Sequence, residues 1–81
     1  VNSGDLLTLL SQALKINRAE INLNSMQQDI EEWDSLGHLN ILVQLDKATE
    51  GKASLLPELV EAKSVEDFIK VLSKNNLLEL K

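Results

Sequence analysis

Asp34 and Ser35 stand side by side, three residues ahead of His38, the only histidine among 81 residues. A hydroxyl and an imidazole one helical turn apart invite a nucleophile-and-base reading. Such a pair needs a third group to orient the imidazole, and no acid is evident in that role. Catalysis is therefore not expected, and His38 reads as a surface residue near a helix start. A second chemistry suits these residues better. Asp and Ser both open helices well, because their side-chain oxygens accept an unpaired first-turn N–H. With Asp34 as the N-cap, Ser35 falls at N1, where its hydroxyl is not needed for capping. Trp33, at N′, can then pack back over the first turn as a hydrophobic staple. A hydroxyl pointing outward there, beside free N–H groups and the positive helix end, is well placed to carry a phosphate group. The simplest alternative is a cap and nothing more, worth roughly 0.5–2 kcal/mol.

The elements that must hold this pair follow from spacing and end signals. Leu36, Leu39, Ile41, Leu42, Val43 and Leu45 make the helix after Ser35 apolar almost all round, as expected of the innermost helix of a bundle. It should span about 35–49 and stop at Gly51, in a left-handed C-cap, with Asn40, Gln44 and Lys47 exposed. Ahead of it, Ser3 or Asp5 can cap a first helix carrying Leu6, Leu7, Leu10, Ala13 and Leu14, ending near Asn17. Residues 16–32 form a long connection, part of it a single helical turn, to be pinned by Ile21, Leu23, Met26 and Ile30. Pro57 can start a short helical turn bearing Leu59 and Val60, with Leu55 and Leu56 closing the core. Ser64 and Asp67 resemble a capping box, and Val65, Phe68, Ile69 and Leu72 follow at i, i+3, i+4 and i+7. Asn75 and Asn76 end that helix, while Leu77, Leu78 and Leu80 fit no part of the scheme. The reading is one all-α domain over 1–81.

Composition narrows the function classes. There is no cysteine and one histidine, which removes disulfides and makes a metal site improbable. No apolar run reaches the length of a membrane span, and no signal-peptide pattern is present, so a soluble cytoplasmic protein is expected, without membrane association. Val1 in place of Met leaves open that residues precede it. The net charge of −5 is concentrated: residues 29–50 hold six acids (Asp29, Glu31, Glu32, Asp34, Asp46, Glu50) against Lys47 alone. The remaining residues balance. Such a field suits basic partner surfaces and speeds their encounter, and the lack of a basic patch argues against nucleic acid.

Trp33-Asp34-Ser35-Leu36 at the head of an apolar helix, in an acidic chain of this length, resembles the acyl carrier proteins. The resemblance covers nearly the whole chain and implies a four-helix bundle of three main helices and one short one, with a long first loop. It implies that Ser35 is the attachment point of 4′-phosphopantetheine, added from coenzyme A by a phosphopantetheinyl transferase with Mg²⁺. The arm's thiol would hold acyl or aminoacyl groups as thioesters for a loading ligase and downstream transferases or synthases. The carrier, a monomer and not itself an enzyme, would meet them through Asp34, Leu36, Asn40 and Lys47. Two departures bear on the subtype. Gly37 and His38 follow the Leu where fatty-acid carriers commonly place an acid, and Glu31-Glu32-Trp33-Asp34 replaces the Gly-Gly common before the Ser of peptidyl carriers. The resemblance is thus to a specialised, auxiliary carrier. The competing reading is an unmodified acidic helical module that binds a basic partner, with a small hydrolase a distant third.

Overall fold

The computed structural model describes residues 2–78. Within them the chain is all-α. Three helices, α1 (Ser3–Leu14), α2 (Ser35–Ala48) and α3 (Val65–Lys74), are joined by connections with 3-10 turns at Arg18–Glu20, Gln27–Asp29, Ala53–Leu55 and Pro57–Glu61. Among the described residues no helix is long and apolar enough to cross a membrane.

α1 begins one residue earlier than its sequence suggests. Asn2, and neither Ser3 nor Asp5, is the N-cap: its side chain accepts the Asp5 N–H at 2.8 Å, and the Asp5 carboxylate accepts the Asn2 N–H at 3.4 Å. Asp5 is therefore the far arm of a capping box. Leu6, Leu7, Leu10, Ala13 and Leu14 all turn to the core. The helix stops at Lys15, whose left-handed backbone (φ 58°) closes its N–H onto the Gln12 carbonyl, short of Asn17.

The 16–32 connection is pinned by its backbone more than by the anchors expected. Ile21 is buried and Ile30 half-buried, but Leu23 and Met26 are exposed. In their place the Gln27 N–H donates to the Lys63 carbonyl at 2.8 Å, and the Val65 N–H to the Ser25 carbonyl at 3.0 Å. This isolated antiparallel bridge, Met26 opposite Ser64, satisfies main-chain groups that a loop has no ladder to satisfy. Asn22 and Ser25 shape the approach: Asn22 Oδ1 accepts the Asn24 N–H, and Ser25 Oγ accepts the Asn22 N–H.

α3 is capped by Ser64, whose Oγ accepts the Asp67 N–H at 3.1 Å. The returning Asp67 carboxylate lands on the Lys63 N–H rather than on Ser64. Val65, Phe68 and Leu72 are fully buried, and after Asn75 and Asn76 (φ 60°) the chain folds so that Leu77 is half-buried and Leu78 buried. Leu80 lies outside the described residues. At the end of α2 both Glu50 (φ 56°) and Gly51 (φ 86°) are left-handed, and the Gly51 N–H returns to the Asp46 carbonyl at 2.8 Å. The buried Thr49 hydroxyl donates to the Leu45 carbonyl and accepts the Ala53 N–H, tying the helix end to the next turn. Beyond it Leu59 is buried and Leu56 half-buried, whereas Leu55 is 76% exposed and closes nothing.

α2 is not enclosed. Gly37, His38, Ile41 and Leu45 are buried, while Leu36, Leu39 and Val43 are exposed by 68%, 55% and 45%. Three helices cannot surround one of their own number, so an apolar circumference leaves part of itself in water whatever its composition.

Candidate functional site

The first turn of α2 is built from one short run of sequence. Asp34, extended at φ −93° and ψ −167°, is the N-cap, and its Oδ1 accepts the Gly37 N–H at 2.8 Å. Its carbonyl takes the His38 N–H, also at 2.8 Å. That arrangement leaves the N–H groups of Ser35 and Leu36 at the open end of the helix. Ser35 is at N1 and exposed, with capping done by its neighbour. Asp34→Ala is accordingly expected to cost about 1 kcal/mol of stability. Ser35→Ala should stay within about 0.5 kcal/mol of the parent, both variants being measured by urea titration.

Trp33 and His38 are the surprise. His38 was expected at the surface and is instead buried, with both ring nitrogens engaged. Trp33 Nε1–H donates to His38 Nδ1 at 3.0 Å. An indole nitrogen can only donate, so the ring proton of His38 sits on Nε2, which donates to the Leu59 carbonyl at 2.9 Å. The rings of Trp33, His38 and Phe68 cluster, with centroids 5.6–6.3 Å apart; Trp33 and His38 are within 10° of parallel, and Phe68 is tilted 31° to His38. A staple at N′ seeks its partner at N4, and N4 is His38. The signal was present in the spacing.

Beside Ser35 lies an open cleft of about 320 Å³. Ser35, Leu39 and Leu42 of α2 form one wall, Val60, Glu61 and Lys63 the other, and Gln27 closes an end. A second cleft of about 360 Å³ continues along α2 past Val43, Asp46 and Lys47, sharing Leu42 and Val60 with the first. On a helical projection Leu36, Asn40, Val43 and Lys47 share a face adjoining the clefts, all four exposed. Asp34 sits apart from that face, at the helix start. The candidate contact residues Leu36, Asn40 and Lys47 thus come together on one surface.

Asp29, Glu31, Glu32 and Asp34, in the stretch of chain that leads into Ser35, are all exposed. The two ion pairs among the described residues, Lys70 with Glu66 and Lys74 with Glu58, are on or against α3 and neutralise none of these acids. Among the described residues no group of three or more His, Cys, Asp or Glu is placed to hold a metal ion. Among the described residues the fold and the site together define a small all-α chain that presents the Ser35 hydroxyl at a helix start, beside a cleft with Leu39, Leu42 and Val60 in its walls. Comparison with protein-family models, with curated proteins and with solved structures finds no match to this chain.

Proposed function

We propose that this protein is a carrier of acyl or aminoacyl groups, held as thioesters on a 4′-phosphopantetheine arm joined to Ser35. The observation that carries the reading is the position of Ser35: exposed at N1 of a 14-residue helix, with capping left to Asp34. The site suits the group. A phosphodiester on Ser35 would lie at the open N–H groups of Ser35 and Leu36 and at the positive end of the helix. The nearby carboxylates oppose it only weakly, since unit charges 4 Å apart in water repel by about 1 kcal/mol. Leu39, Leu42 and Val60 give the arm and a small apolar cargo a surface to lie on.

The chain offers attachment and presentation; bond making belongs to partners. A phosphopantetheinyl transferase would join the arm of coenzyme A to the Ser35 hydroxyl, a ligase would load its thiol, and transferases or synthases would draw the cargo off. Asp34 and the exposed acids steer basic surfaces to that end, and Leu36, Asn40 and Lys47 offer a mixed apolar and polar contact. Gly37 and His38 set the motif apart from carriers of primary fatty-acid synthesis and favour a specialised, auxiliary role. The same apolar, acid-flanked face also supports the second reading, an unmodified interaction module.

Intact-protein mass spectrometry separates the two. After treatment with a phosphopantetheinyl transferase, coenzyme A and Mg²⁺, the parent should gain the mass of one arm and Ser35→Ala none. A parent of unchanged mass leaves the interaction module as the reading.

A further inference from the structure

We infer that Trp33 and His38 are positioning residues, a hydrogen-bonded relay that locks the Ser35 turn of α2 to the 57–61 turn facing it across the cleft. The relay runs from Trp33 Nε1–H to His38 Nδ1, and from His38 Nε2–H to the Leu59 carbonyl, at 3.0 and 2.9 Å. It begins one residue before the cap that orients Ser35 and ends next to Val60, in the opposite wall. Its geometry is independent of the carrier reading; its consequence, a cleft held at fixed width beside the tether point, rests on that reading.

The 57–61 turn needs such a hold. It is a 3-10 helix of five residues with no side-chain cap, and its Ala62 N–H reaches the Leu59 carbonyl only at 3.3 Å. So short a turn is not stable by itself. Its ion pair, Glu58 with Lys74, is exposed and adds little. The Leu59 side chain anchors it to the core, but packing alone does not fix which way a carbonyl points. The His38 N–H does, because it makes the shorter of that carbonyl's two bonds, 2.9 Å against 3.3 Å for the Ala62 N–H, and it alone comes from outside the turn. Phe68 packs beside the imidazole and the Trp33 indole holds its Nδ1 edge, which together limit its rotation and aim Nε2 at the turn. A histidine that merely filled space would make neither bond.

Two amide variants isolate the buried bond that joins the two walls. A glutamine reaches the place of Nε2 and an asparagine that of Nδ1, so His38→Gln keeps a donor to Leu59 and His38→Asn does not. By native-state hydrogen exchange, the Leu59 and Ala62 amides should exchange about tenfold faster in His38→Asn, the effect of one buried hydrogen bond lost. In His38→Gln they should match the parent, and the amides of α1 should not change in either. With the transferase and coenzyme A, His38→Asn should show a raised KM and an unchanged kcat, as a displaced docking surface would give, and His38→Gln parental values. The imidazole nitrogen spectrum of the parent, which needs no variant to fold, should report the Nε2–H form. Equal exchange in the two variants, or an Nδ1–H imidazole, overturns the relay. An unchanged KM for His38→Asn, where the parent is modified normally, overturns its link to Ser35. A parent that accepts no arm overturns the carrier reading instead and leaves the exchange comparison to decide the relay.

Discussion

Gly37→Ala should destabilise the protein by about 2 kcal/mol, although alanine is the better helix former by about 1 kcal/mol. The gain in propensity is real and is outweighed by contact. A Cβ on Gly37 would press deep into the Glu32 carbonyl oxygen and come within 2.9 Å of Leu14 Cδ2. The leucine tip can swing aside. The carbonyl cannot, because the next residue, Trp33, is buried, hydrogen-bonded through its N–H to the Ile30 carbonyl at 3.0 Å and through its indole to His38. Alanine therefore has to lift the first turn of α2 off the loop before it, against the aromatic cluster that holds both. Urea unfolding measures the result, and a variant as stable as its parent would mean that this approach is not tight. The same contact accounts for the glycine in the motif. A larger side chain after Leu36 has no room here, because the loop crosses the helix so closely.

What was legible in the sequence is what depends on neighbours along the chain. Asp34 and Ser64 cap α2 and α3 as their spacing requires, because a cap is a bond between residues three apart. The exposure of Ser35 followed from the same local fact. α3 was legible because its apolar residues lie on one side, so face and helix are given together. α2 was misread for the opposite reason: with Leu or Val on every side, the period marks a helix without marking which side is buried. Leu36, Leu39 and Val43 were left in water by the number of neighbouring helices, and no pattern within α2 encodes that number. The loop anchors failed similarly, since the bridge between Met26 and Ser64 uses main-chain groups that every residue owns. The cleft was invisible because its second wall, Val60 to Lys63, is distant in sequence and is set by the turn that His38 fixes.

Two leucines six residues apart on α2 should respond very unequally to the same substitution. Leu45→Ala removes a side chain with no exposure, packed in the core, and should cost about 2–5 kcal/mol. Leu39→Ala removes one that is 55% exposed and should change stability by no more than about 0.5 kcal/mol. Both sites are within the helix, so the small propensity gain of alanine is common to both and cancels in the comparison. A chain of this length has a total stability of roughly 4–12 kcal/mol, so the first variant should lose a large share of it while the second keeps nearly all. The second variant is then informative about function. Leu39 lines the cleft beside Ser35, so on the proposed carrier function alanine there should leave arm attachment intact yet slow transfer of cargo to a partner. Equal losses of stability in the two urea titrations would mean that α2 is enclosed on all sides. The cleft would then not be open in solution, and the proposed arm would have no wall of its own to lie against.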